Sequence, residues 1–156
     1  MIEPSFPERA FAIRRAAARH CLRLGWAPLH EVSLPNGRRA DILALRQDGC
    51  FACIEVISGP RDFLTDLKWQ DYREFADELF FAVDADFPQA LLPAETGLIV
   101  AAGLEAELLR DAPSHPLPAT RRRALLHRFA LLAAARLATL EDPGGVAELR
   151  AALSVE

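Results

Sequence analysis

The run Arg39-Ala-Asp41-Ile-Leu-Ala-Leu-Arg46, then Gln47-Asp48-Gly49, then Cys50-Phe-Ala-Cys53-Ile-Glu55-Val-Ile57 decides the fold. Both flanks have strand length and apolar composition. The three residues between them end on Gly, which accepts the left-handed conformation that closes a three-residue hairpin loop. Such a loop pairs Arg46 with Cys50. Counting back along the ladder, Asp41 comes opposite Glu55 on one face of the sheet, with side chains about 5 Å apart. Two carboxylates so placed repel, unless one keeps its proton or a cation lies between them. Hard ions such as Mg²⁺ are held by one or two carboxylates completed by water and substrate phosphate, so a metal site is one reading of the pair. The other is that Asp41 starts its strand at a solvated edge and Glu55 meets an arginine, with Arg39, opposite Ile57, as the candidate. Glu55 weighs for the metal, because it interrupts a run otherwise built for burial on both faces.

Working outward, Trp26 to Leu34 alternates as a strand, and Pro35-Asn36-Gly37 is a hairpin turn into Arg39, so a three-strand meander results. Before it, Ser5-Phe-Pro-Glu8 is a capping box with Pro in the first turn, and Gly25 is a C-terminal stop. Between them Phe11, Ile13, Ala17, Cys21, Leu22 and Leu24 supply the apolar side of a first helix. Arg15, Arg19 and Arg23 line its polar side at i, i+4, i+8, with Arg14 adjacent. After the meander, Ser58-Gly59-Pro60 opens a second helix, Arg61 to about Leu79, with Leu64, Leu67, Phe75 and Leu79 as its stripe. Phe80 to Val83 and Gly97 to Ala101 are short apolar strands, Glu105 to Leu109 an edge strand. Thr120 caps a final helix ending near Leu140. The order is αβββαββ(β)α, an α/β fold with a mixed central sheet flanked by helices, read as one domain over residues 1–156.

The chain has 156 residues, 51% of them hydrophobic, and a net charge of −4, which excludes disorder as its main state and a globally basic nucleic-acid binder. The charge is segregated: residues 1–39 carry +4, residues 40–111 carry −10 and residues 112–156 carry +2. Any polyanion must be met by a local patch, and the two ends are net basic. The opening residues lack the basic and apolar regions of a signal peptide, and no apolar run has membrane-spanning length. Three cysteines, an odd number, fit reduced thiols and a cytoplasmic location. Cys50-Phe-Ala-Cys53 has zinc-knuckle spacing, but in a strand residues three apart point to opposite faces.

Arg39-Ala-Asp41, Cys53-Ile-Glu55-Val-Ile-Ser-Gly, Asp62-Phe-Leu-Thr-Asp66-Leu-Lys68-Trp69-Gln-Asp-Tyr72 and Phe80-Phe-Ala-Val together resemble the MmcB-like family of bacterial DNA-repair proteins. These are related to the PD-(D/E)xK nuclease superfamily, whose restriction-endonuclease-like αβββαβ core matches the order above. The resemblance implies that Asp41 and Glu55, with the backbone carbonyl of Val56, bind Mg²⁺ or Mn²⁺, and that DNA is the partner, with or without nuclease activity. It also implies a lysine two residues after the glutamate. Here that position is Ile57, and the Pro before the aspartate is Ala40.

Losing a group that orients the attacking water typically costs on the order of 10²-fold or more in rate. Lys68, the only lysine, either reaches the pair from the second helix and acts as the catalytic cation, or lies at the surface beside Trp69. Arg39 and Arg61 add positive charge but are poor general bases. Glu31 is a third carboxylate or a solvated strand residue. Trp69 and Tyr72 stack on bases or pack the helix onto the sheet. Arg15, Arg19, Arg23, Arg39, Arg61 and Trp69 are thus the candidate DNA contacts. The last helix offers a packing or homodimer face. Three functions stay open: a Mg²⁺-dependent DNA nuclease, a DNA- or protein-binding module of the same fold without the chemistry, and a purely structural interaction protein that dimerises through the last helix.

Overall fold

Six strands form one sheet in the order β1-β2-β3-β4-β5-β6. A computed structural model describes residues 2–65, 68–145, 148 and 151–152. They divide into two units, residues 1–117 and 118–156. In the first, α1 (Phe6–Arg23) precedes β1 (Ala27–Ser33), β2 (Arg39–Leu45) and β3 (Phe51–Val56), which run antiparallel to one another. α2 (Pro60–Thr65) and a 3₁₀ turn (Trp69–Phe75) then lead into β4 (Glu78–Asp84), which lies parallel to β3. β5 (Gly97–Ala102) continues parallel and β6 (Glu105–Arg110) returns antiparallel. This is a mixed α/β architecture with helices against both faces of the sheet.

The local signals act as the residue chemistry demands. The Glu8 carboxylate accepts the Ser5 N–H at 2.7 Å, closing the capping box at the start of α1. Gly49 takes φ +87° and the Arg46 N–H donates to the Cys50 carbonyl at 2.9 Å. The β2–β3 register therefore runs Leu45 with Phe51, Leu43 with Cys53 and Ile42 with Ile54, and the next step along it sets Asp41 against Glu55.

One face of the sheet carries α1. Ile13, Ala16, Ala17 and Cys21 pack on Ile42, Ala44, Ile54, Phe80, Ala82 and Ile99. Small alanines let the helix approach closely. The apolar side of α1 is narrower than its sequence suggests, for Phe11, Leu22 and Leu24 are exposed. The opposite face holds Phe81, with Phe63 of α2 edge-on at 5.5 Å and Trp69 at 6.0 Å. Asp41 and Glu55 share the parity of Leu43, Cys53 and Phe81 and belong to this second face.

The long second helix expected over Arg61–Leu79 is corrected. α2 stops at Thr65, Asp66 and Leu67 lie outside the described residues, and Leu64 is exposed. The seven-residue 3₁₀ helix that follows, with three residues per turn, puts Trp69 and Tyr72, i and i+3, on one buried side. Arg38 Nε at 3.1 Å from the Asp71 carboxylate, and Asn36 Nδ2 donating to the Asp71 carbonyl at 3.0 Å, tie that turn to the β1–β2 hairpin. β4 consequently begins at Glu78.

Gly97 opens β5 opposite Phe80, where a Cβ would lie 2.2 Å from the ring. Gly97→Ala is expected to cost about 1–3 kcal/mol by overpacking, read as a lower urea midpoint with unchanged slope.

The second unit holds α3 (Ala119–Glu141) and a 3₁₀ turn (Pro143–Gly145). Pro118, not Thr120, occupies the N-cap position, which moves the start of this helix earlier than the Thr signal implied. No helix among the described residues is long and apolar enough to cross a membrane.

Candidate functional site

β3 and β4 run parallel, and the carboxyl end of β3 carries Glu55 beside Asp41 of β2. Ligands of sheets with parallel strands gather outside such ends. A polar cleft of about 660 Å³ opens there, lined among others by Ser33, Arg38, Arg39, Asp41, Glu55 and Asp62. A second cavity of about 330 Å³ lies toward α1, with Phe11, Arg14, Glu31, Asp41 and Val56 in its walls. Asp41 and Val56 line both.

The two carboxylates are locked into the end of the β2–β3 ladder. Glu55 Oε1 accepts the Asp41 N–H at 3.1 Å, and Asp41 Oδ2 accepts the Val56 N–H at 2.8 Å. Each acid thus uses one oxygen on the other strand's side of the pair, leaving Asp41 Oδ1 and Glu55 Oε2 out of these bonds. The Cys53 thiol, fully buried, also approaches Glu55 Oε1 at 3.6 Å. Burial pushes the Glu55 carboxyl well above the ordinary carboxylate range, and the neighbouring Asp41 pushes it further. Asp41 is raised too, by burial first, while the Val56 amide, its bond with Glu55 and the charge of Arg14 pull the other way.

Arg39 does not meet Glu55. Its guanidinium lies 3.8 Å from Glu31 Oε1, and Arg14 reaches the same oxygen at 3.2 Å. An uncompensated buried carboxylate pair is expensive unless a proton or a cation relieves it. All the oxygens are hard donors of the kind Mg²⁺ or Mn²⁺ prefers, and two carboxylates suffice when water and phosphate complete the shell. Among the described residues no group of three or more acidic, His or Cys side chains forms a ready cage. The donor chemistry therefore fits a divalent ion shared with a ligand better than a closed structural site.

Ile57 is 4% exposed and lines the cleft, so the position at which the resemblance implies a lysine presents an aliphatic side chain. Lys68 is exposed at the start of the 3₁₀ turn and is not among the residues lining the cleft. Arg61 is exposed in the first turn of α2. Trp69 is only 8% exposed, held edge-on to Phe81 with Arg73 over its ring, so the structure places it in packing; Tyr72, also buried, lines the cleft. Arg15 and Arg19 are exposed on α1, and Arg23 pairs with Glu105 at 2.9 Å.

Sequence reasoning passed over Arg14, Arg38 and Asp62 as lining residues. Arg14 was legible in principle, because it borders the buried phase set by Ile13, Ala17 and Cys21. Asp62 and Arg38 were not, since the α2 entry and the β1–β2 hairpin bring them in from other elements.

A solved structure of a protein of unknown function from Silicibacter pomeroyi is 39% identical, with 92% of this chain and 97% of that one covered and a TM-score of 0.83. Among curated proteins nothing matches. The family model described as DNA repair protein MmcB-like matches residues 1–144, and with nearly the whole chain inside that match, the protein belongs to the MmcB-like family of DNA repair proteins.

Proposed function

We propose that this chain works in DNA repair as a metal-assisted DNA-binding module with a PD-(D/E)xK type core. Asp41, Glu55 and the Val56 carbonyl hold Mg²⁺ or Mn²⁺, and the cleft beside them takes a DNA phosphate. The observation that carries this reading is the interlocked pair of half-buried Asp41 and buried Glu55, in which Glu55 meets no arginine or lysine among the described residues. When bound, the ion supplies the positive charge that the pair lacks and attracts phosphate oxygens. Asp41 and Glu55 orient their outer oxygens through the two backbone amides, and Arg38 and Arg39 add charge at the cleft wall. The exposed Arg15 and Arg19 extend the basic surface along α1. With Ile57 at the lysine position and Lys68 outside the cleft, no lysine among the described residues is set to orient an attacking water.

Hydrolysis is a second reading, favoured by one observation: Asp62 lines the same cleft as Asp41 and Glu55, with Oδ2 accepting the Ser58 N–H at 3.3 Å. A carboxylate there can accept a proton from water.

Labelled single-stranded, duplex and branched DNA with Mg²⁺ or Mn²⁺ test both, using wild type, Asp41→Ala and Ile57→Lys. The expected result is binding by wild type that tightens with falling salt, weakens by about tenfold in Asp41→Ala, and leaves the DNA intact. Cleavage by wild type that disappears in Asp41→Ala establishes the nuclease instead. Cuts appearing only in Ile57→Lys show a site lacking just its cation. A wild type that retains no DNA, and that Mn²⁺ does not stabilise, refutes the proposal.

A further inference from the structure

We propose that Arg14 and Arg39 form a phosphate subsite beside Asp41, and that the Glu31 carboxylate fills this subsite in the free protein until a phosphate displaces it. That the phosphate belongs to DNA rests on the function proposed above; the subsite itself rests on geometry.

Two guanidinium groups from different elements, Arg14 of α1 and Arg39 of β2, converge on one oxygen, Glu31 Oε1, at 3.2 and 3.8 Å. Fork-shaped donors on an oxyanion are the arrangement by which arginine binds carboxylate and phosphate alike. Glu31 is held there by an unusual backbone. It has φ +50°, and it is the one non-glycine among the described residues in the left-handed region. Such a conformation disfavours side chains with a Cβ and concentrates at functional positions.

The register shows what this conformation does. His30 pairs with Ile42 and Val32 with Ala40, so Glu31 stands opposite Asp41, which in turn faces Glu55. Three acids occupy one row across β1, β2 and β3. The positive φ breaks the alternation of β1 at the first of them, and the side chain ends on the arginines instead of joining the metal pair. Glu31 shares the smaller cavity with Arg14 and Asp41, while Arg39 lines the larger cleft with Asp41 and Glu55. An anion between the two arginines therefore lies beside the candidate metal ligands, where a bridging phosphate is needed.

The Glu31 side chain is 49% exposed, so the ion pairs that hold it are weak and exchangeable. A phosphate offers the same fork more oxygens and more charge. The row of acids would repel DNA, and Glu31 answers part of that problem by neutralising itself on the arginines until they are needed.

Inorganic phosphate in metal-free buffer is the probe, followed through the arginine Nε–Hε signals, with wild type, Glu31→Gln, Glu31→Gly and Arg14→Ala combined with Glu31→Gln. Glu31→Gln is expected to bind phosphate about fivefold more tightly than wild type, the scale of a half-exposed ion pair removed. Glu31→Gly, which also relaxes the left-handed backbone, gives the same gain without loss of thermal stability. The gain disappears in the Arg14→Ala double variant. Equal phosphate affinity in wild type and both Glu31 variants overturns the proposal, as does a gain that survives Arg14→Ala. A tenfold or greater drop in Mn²⁺ affinity in Glu31→Gln overturns it as well, making Glu31 a metal ligand. The same proteins with labelled duplex DNA separate the two readings: phosphate results as expected without any DNA retention support the subsite and refute the DNA-binding function.

Discussion

Asp77→Ala is expected to remove about 4 kcal/mol of folding stability, enough to leave little of the marginal reserve typical of a domain this size. Asp77 is 1% exposed. Its Oδ2 accepts the Phe51 N–H at 2.7 Å and its Oδ1 the Leu117 N–H at 2.9 Å. Its own N–H donates to the Phe51 carbonyl at 2.9 Å, and its carbonyl accepts the His115 N–H at 2.7 Å. Alanine keeps the two backbone bonds and orphans two buried amides, each costing about 1–3 kcal/mol. Asn, whose single amide oxygen can satisfy only one of them, should fall between. Urea unfolding of the three proteins decides the matter. A loss below about 1.5 kcal/mol for Asp77→Ala would mean that water replaces the carboxylate, and that the side chain is no anchor.

The second large effect has opposite signs in stability and binding. Glu55→Gln is expected to raise stability in metal-free buffer at neutral pH by about 2 kcal/mol, because it removes a carboxyl that folding forces either to carry its charge facing another or to take up a proton. The sign depends on pH in a defined way. Folding raises the Glu55 carboxyl well above its ordinary value, so the group subtracts nothing in acid, where it is protonated in both states. Its penalty grows as pH rises through the ordinary carboxylate range, and levels off only above the raised folded value. The advantage of Gln follows the same course. With Mn²⁺ the order reverses: at about a thousand times its dissociation constant the ion stabilises wild type by about 4.1 kcal/mol and Glu55→Gln by almost nothing. Thermal unfolding with and without Mn²⁺, at pH 5 and pH 7.5, reads all of this. Equal metal-induced shifts in the two proteins would remove Glu55 from the metal site.

The strand framework and the central pair were legible because their causes are local. A glycine in a three-residue loop fixes the β2–β3 register, and period two then places Asp41 against Glu55. The capping box, Gly25 and the Asn36-Gly37 turn are equally short-range signals. What failed was the segment after Pro60. Its apolar residues fit a helical period, but Asp71, Arg38 and Asn36 impose a 3₁₀ turn through contacts distant in sequence. The partners of Arg39 and Glu31 were hidden for a related reason. They depend on one residue leaving the strand alternation and on Arg14, which arrives from the helix against the other face of the sheet.

The backbone kink at Glu31 has a consequence beyond the site. β1 is an outer strand, with Pro28 lacking an N–H near its start and the left-handed residue near its end. β6, the other outer strand, presents exposed Glu105 and Glu107. Open strand margins tend to template the addition of a further chain, and proline, kinks and charge are the features that prevent it. Concentrated solutions of this protein should therefore resist fibrillar growth, and Glu31→Val, whose β-branched side chain disfavours the left-handed backbone and favours an extended one, is the substitution that would expose the β1 margin to it.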